Sequence, residues 1–242
     1  MFDKLGLAIM CFSASASFTA GTFLIPIGVY CVYSAFTLKR YHYIMFAFVP
    51  IFFGIQQLIE GGVWLALATS SQHWIRHFSV GFVFFSHFWW PFWIPLAAYF
   101  VAKNRLCARA WIKLLFAIVG ALLGLIAFIP YLINEHMVQT NMCASSIQYS
   151  YTTIYDALLG TSIPKYMYIA IIIIPLLISR DIAMKIFGLL ILLSVIATYL
   201  FYSYAFNSVW CFFSAIISMY TVYLIRRTKD HGRNFVIKET KD

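Results

Sequence analysis

Three polar side chains interrupt the apolar run "GIQQLIEGGVW": Gln56, Gln57 and Glu60. Gln56 and Glu60 are four apart and Gln57 and Glu60 three apart, so on a helix they share a face. A second run, "SHFWWPFWIP", holds His87 four residues before Pro91, among Trp89, Trp90 and Trp93. Proline has no N–H, so the His87 carbonyl loses its helical donor and a kink is expected. A third, "NSVWCFFSAIIS", sets Asn207, Cys211, Ser214 and Ser218 at helical spacing, with Trp210 beside them. A fourth, "MCFSASASFTAG", brings Cys11, Ser13 and Ser15. Glu60 and His87 are the candidate catalytic groups, a carboxyl and an imidazole able to work as acid and base, with Cys11 or Cys211 as a thiol. Cys11, His87 and Cys211 offer the sulfur and nitrogen ligands that copper or zinc takes. As binding groups, Gln56, Gln57, Glu60, His87, Trp90, Asn207, Trp210, Cys211, Cys11 and Ser13 would line one polar pocket.

The elements that must position these groups are membrane helices. The chain has 242 residues, 63% hydrophobic and 10% charged, far below the quarter or so that water-soluble surfaces carry. A hydrocarbon core of about 30 Å takes roughly 20 apolar residues per helix. Seven stretches fit, near 14–36, 43–68, 78–102, 111–133, 166–179, 184–205 and 207–225, the fifth being short. The expected fold is an all-α seven-helix bundle over 10–226, with residues 1–9 as an extension and 227–242 as a basic tail. Of the 17 Lys and Arg, all but Lys4, Arg76 and Lys165 then fall on one side. The positive-inside rule puts that side in the cytoplasm, the N-terminus outside and the tail against anionic lipid. The net charge of +9 thus has a topological cause, and no nucleic-acid partner is implied. The one long connection, about 134–165, is external, and "TTIYDALLG" within it suits a short interfacial helix.

Depth links the four runs. Glu60 lies about 12 Å from the outer end of its span, His87 about 13 Å, and Asn207 to Cys211 within about 6 Å. Cys11 and Ser13 enter at the same side. A shared, outward-open polar pocket is the expectation. Gly54 and Gly61, seven apart, would let a neighbouring backbone approach closely. Each group also has a structural use: Glu60 as a helix-to-helix bond, the tryptophans as packing, Cys211 as core, the small residues of span one as a packing surface. By the same topology Cys11, Cys143 and Cys211 face the oxidising side, where Cys143 could bridge to Cys11 or Cys211.

Several chemistries fail on residue count. The seventh span has no lysine for retinal, and only His87 lies within a span, which leaves bis-histidine haem without a partner. His73 and His77 are four apart and metal-competent on a helix, but external. No GxSxG or CxxC occurs. Mid-span prolines would suit a transporter, yet no inverted repeat is visible.

At "MCFSASASFTAG", "FGIQQLIEGGVWLAL", "WPFWIPLA" and "NSVWCFFSA" the chain resembles a family of multi-pass bacterial membrane proteins of unknown function that begin Met-Cys-Phe-Ser-Ala. The resemblance singles out Cys11, Ser13, Gln57, Glu60, Trp210 and Cys211 and implies a multi-pass protein of the inner (plasma) membrane, with no activity attached. It covers nearly the whole membrane region. "MFDKLGLAI" precedes Met10 as a departure, leaving translation to start at Met1 or Met10. A signal peptide cleaved after Ala14-Ser15-Ala16 would need a longer apolar core than "LGLAIMCF", so the stretch is expected to stay on the mature chain.

The leading functional expectation is a binding or sensory membrane protein whose pocket takes a small ligand or ion. The alternatives are a metal- or thiol-dependent membrane enzyme acting on a lipophilic substrate, and a small-molecule transporter. The topology makes a direct prediction: a membrane-impermeant thiol reagent added to intact cells should label Cys143 and leave Cys107 unlabelled. Labelling of Cys107 alone would invert the assignment.

Overall fold

The computed structural model describes residues 13–102, 106–133, 139–143, 146–150, 162–202 and 205–227. Among the described residues, six helices are long and apolar enough to cross a membrane: α1 (Ala14–Thr37), α2 (Tyr41–Ala68), α3 (Gln72–Phe100), α4 (Ala108–Ile133), α6 (Ile182–Phe201) and α7 (Phe206–Arg227). The shorter α5 (Ser162–Leu177) lies between α4 and α6 in sequence and reaches back to Ser162 for its length. The protein is therefore a helical, multi-pass membrane protein. Leu115, Leu122, Ile126 and Ile129 of α4 are exposed, as side chains solvated by lipid tails would be.

The helix ends differ from hydropathy in one place that matters. α3 begins at Gln72, not near residue 78, because "QHWIRHF" is helical although polar. His73 and His77 thus stack on one helical face with ring centroids 4.2 Å apart. His77 Nδ1 lies 2.8 Å from the His73 carbonyl oxygen.

Pro91 shapes the middle of α3. Residues Phe84–Trp89 form a π-helical turn, and Pro91 then enters at the start of Trp90–Phe100, where a missing N–H is tolerated. The wide turn brings backbone against α4, which meets it with two glycines. A Cβ on Gly124 would lie 2.8 Å from the His87 carbonyl oxygen, and one on Gly120 would lie 2.0 Å from that of Pro91. A comparable seam joins α1 to α2. A Cβ on Gly21 would lie 2.9 Å from the Gly54 carbonyl oxygen, and one on Gly61 would press on Phe18. The close approach expected at Gly54 and Gly61 is made by α1, whose stripe Ser17, Gly21, Leu24, Gly28 and Cys31 is buried.

The region between α4 and α5 contains a β-hairpin that the sequence reading did not foresee. β1 (Gln139–Cys143) pairs antiparallel with β2 (Ser146–Ser150), Thr140 opposite Tyr149 and Met142 opposite Ile147. Ile147 and Tyr149, two apart on one face of β2, are both buried, while Met142, opposite Ile147 on β1, is exposed. Tyr149 stacks on Phe82 of α3 with centroids 4.5 Å apart and planes 5° from parallel. Ser79 and Thr140 hydroxyls meet at 2.8 Å, fixing the hairpin to α3 a second time. The segment "TTIYDALLG", expected as an interfacial helix, lies outside the described residues, as does the tail from 228 onward.

At the other end of the bundle, Lys113 departs from its expected place among loop charges. It is buried, and its Nζ donates to the Ala98 carbonyl at 3.1 Å, in the last turn of α3. A cation is favourable there because the helix dipole leaves its C-terminal carbonyls partly negative. Tyr43 donates to the carboxylate of Asp181, which also caps α6 by accepting from Ala183 N at 2.9 Å. The two glycine seams give a test. Gly120→Ala should lower stability by about 1–3 kcal/mol, since backbone must move to admit the methyl. Gly81→Ala, whose Cβ would meet only the Ile59 side chain at 3.3 Å, should change little. Thermal unfolding of both variants in detergent checks this, and equal midpoints would refute the seam.

Candidate functional site

The face of α2 that carries Gln56, Gln57 and Glu60 turns fully inward. Gln56 and Gln57 are 0% exposed and Glu60 2%. Their polar atoms are answered by α3 and α7. Trp90 Nε1 donates to Gln56 Oε1 at 2.7 Å, and Gln56 Nε2 donates to Cys211 Sγ at 3.3 Å. The Trp90 ring is held by stacking on Phe53, centroids 3.8 Å apart. Gln57 Nε2 donates to Glu60 Oε2 at 3.1 Å, and the Ser208 hydroxyl donates to Glu60 Oε1. The helical spacings do this work: residues 57 and 60 lie one turn apart on α2, as do 208 and 211 on α7.

The hairpin closes the hairpin-facing side of this cluster. Tyr149 is buried, and burial, then the nearby Glu60 carboxyl, hold its phenol well above the ordinary value. It is therefore a neutral hydroxyl, close enough to feel the carboxylate. Among the described residues neither the Tyr149 hydroxyl nor Gln57 Oε1 has a hydrogen-bond partner.

Five of the expected residues, Gln56, Gln57, Glu60, Trp90 and Cys211, thus fall into two hydrogen-bonded sets side by side on α2, Trp90–Gln56–Cys211 and Gln57–Glu60–Ser208. The others take different positions. His87 sits in the π-helical turn, its Nδ1 2.9 Å from the Ser86 hydroxyl and its ring edge-on to Tyr131, with centroids 6.0 Å apart. The hydrogen bonds of the expected acid–base pair therefore run to different partners. Ser13 caps α1, accepting from Ala16 N at 3.2 Å. Asn207 is half-buried beside Ser208. Trp210 lies edge-on to Tyr168, with centroids 5.5 Å apart, and its Nε1 has no hydrogen-bond partner among the described residues. Cys11 lies outside the described residues.

Ser208 and Tyr149 were missed. Ser208 stands in the quoted run three residues before Cys211, a spacing that could have named it. Tyr149 had no signal, because its strand is too short to announce itself.

One expectation is corrected: Cys211 is a free, buried thiol bonded by Gln56, so it does not bridge to Cys143, while Cys11, the other expected partner, lies outside the described residues. Gln56 turns to α3 and α7, and Gln57 and Glu60 bond each other, with Ser208 of α7 on Glu60. The space beside these groups is a cavity of about 30 Å³ walled by Phe53, Trp90, Tyr168, Trp210, Cys211 and Ser214, among others. That is room for one or two waters. For a metal, no group of three or more His, Cys, Asp or Glu side chains comes together among the described residues. The sulfur and nitrogen set proposed for copper or zinc is accordingly not assembled by them.

Residues 10–235 match a family model described as a family of unknown function, DUF6629. No curated protein matches the chain, and no solved structure does.

The coupling between Trp90 and Gln56 can be measured. Gln56→Leu leaves a buried indole N–H without its acceptor and should cost about 1–3 kcal/mol. In a Trp90→Phe background the same change should cost clearly less. Additive losses across the double-mutant cycle would mean the bond contributes nothing.

Proposed function

The chain belongs to DUF6629, a family of unknown function, and on that premise we propose that it is a binding or sensory membrane protein. Its site is the polar cluster centred on Glu60, which encloses a small ligand or ion beneath the hairpin. One observation carries this reading. Glu60 is 2% exposed in a membrane helix, and its two hydrogen-bond partners are neutral donors. An acidic group at such a place costs several kcal/mol unless it is neutralised or bonded, and such residues mark functional sites. A carboxyl kept only to join helices would need one donor, whereas Glu60 has two, Gln57 from its own helix and Ser208 from α7.

The site is reached from the outer side in this reading. The positive-inside argument places the hairpin there, and Tyr149 with Phe82 forms the cover. A thiol enzyme is less well supported, because the Cys211 sulfur accepts from Gln56 and the adjoining cavity is too small for an acyl chain.

Native mass spectrometry of the purified protein tests the binding reading. Wild type should carry a bound ion or small molecule that Glu60→Gln lacks. Access is tested in a Cys11→Ser, Cys143→Ser background, where an impermeant thiol reagent outside the cell should reach Cys211 only after Tyr149→Ala. A wild-type protein that carries nothing, together with Glu60→Gln indistinguishable from it, would remove the reading.

A further inference from the structure

The oxygen atoms around Glu60 outnumber the protons that can satisfy them. A carboxylate has two oxygens and about four acceptor positions. Gln57 and Ser208 fill one on each oxygen. The bond from Gln57 Nε2 also fixes where the rest of that amide lies. Amide oxygen and nitrogen are about 2.2 Å apart, so Gln57 Oε1 stays within ~5.3 Å of Glu60 Oε2. That oxygen is buried with no hydrogen-bond partner among the described residues, and so is the hydroxyl of Tyr149. Tyr149 approaches from β2 and packs in one buried cluster with Val63 and Trp64 of the turn after Glu60 and with Cys211 of the turn after Ser208. Two unanswered oxygens, on residues 0% and 8% exposed, therefore accompany a buried carboxylate.

No basic side chain bonds Glu60: the Lys and Arg of α2, α3, the hairpin strands and α7 are Arg76 near the start of α3 and Arg226 and Arg227 at the end of α7, and the donors to Glu60 are Gln57 and Ser208. The titratable groups nearby are Glu60 on α2, Cys211 on α7, Tyr149 on β2 and His87 on α3. His87 is engaged with Ser86, and Cys211 with Gln56.

We propose that Glu60, Gln57 Oε1 and the Tyr149 hydroxyl bind an alkali-metal cation. This rests on the enclosed site proposed above and names its occupant. The ligand chemistry follows from hardness and charge. Carboxylate, amide and hydroxyl oxygens suit hard cations rather than copper or zinc. One carboxylate cancels one positive charge, so a monovalent ion leaves the buried site neutral, whereas a divalent ion would leave an uncompensated charge in a low-dielectric interior. The cation would take the positions that Gln57 Nε2–H and Ser208 O–H leave open on the carboxylate. It would also give the Gln57 and Tyr149 oxygens the partner that no described side chain supplies.

The test uses the full chain purified in detergent. Thermal unfolding is followed while NaCl or KCl replaces N-methylglucamine chloride at constant ionic strength, at fixed pH values from 6 to 9. One of the two alkali cations should raise the midpoint saturably. Tyr149→Phe and Gln57→Leu should each raise the half-saturating concentration about tenfold, the loss of roughly one ligand. Glu60→Gln should abolish the response, and because that variant could fail to fold, the two neutral variants carry the test alone. A midpoint that moves with pH but not with Na⁺ or K⁺ would make the occupant a proton and overturn the proposal. Stabilisation by Ca²⁺ at lower concentration than either alkali cation would overturn it as well. If no alkali cation binds while native mass spectrometry still finds a ligand lost in Glu60→Gln, this inference falls and the binding reading stands.

Discussion

A carboxylate that water cannot reach must be served by the protein, and Glu60 draws the elements of this bundle together for that purpose. Gln57 reaches it from its own helix and Ser208 from α7, while Tyr149 lies over it from the hairpin. Gln56 extends the same face by joining Trp90 of α3 to Cys211 of α7. The result is a polar layer across three helices in which few groups could change without stranding another. In hydrocarbon such a layer has no solvent to repair a lost partner, which makes its composition restrictive.

Two glycine seams flank this layer. Gly21 and Gly54 bring α1 to the outer side of α2, and Gly120 and Gly124 bring α4 to the π-helical turn of α3, so each seam packs a helix of the layer against a neighbour outside it. That turn answers a backbone problem set by Pro91, and it presents its carbonyls to residues without side chains. The proline, the wide turn and the two glycines are one solution, shared between two helices. The opposite end of the bundle is held differently, by Lys113 on the Ala98 carbonyl and Tyr43 on Asp181, so the two ends are fixed by unlike chemistry.

Much of the fold was legible because lipid demands long apolar helices and writes them into hydropathy. The spans, the short fifth helix and the disturbance at Pro91 could be read directly. So could the inward face of Gln56, Gln57 and Glu60, since polar residues one turn apart in an apolar helix have one sensible direction. The beginning of α3 was misplaced because "QHWIRHF" is helical without being apolar. The hairpin was invisible because strands of five residues with polar alternates look like any loop. Lys113 looked like a loop charge because its carbonyl partner comes from another helix.

By itself the sequence determined the class of the protein, the order of its helices and the face of α2 that Gln56, Gln57 and Glu60 share. Those are properties of single segments: apolar length, residue spacing and distance along an axis. The tertiary structure decided the partners. It gave Glu60 to Ser208 and Gln57, turned His87 toward Ser86, left Cys211 a free thiol and laid Tyr149 over the site. Depth fixes only one coordinate of a side chain in a membrane. Rotation about each helix axis and the lateral order of the helices come from packing between segments, and no segment encodes those alone.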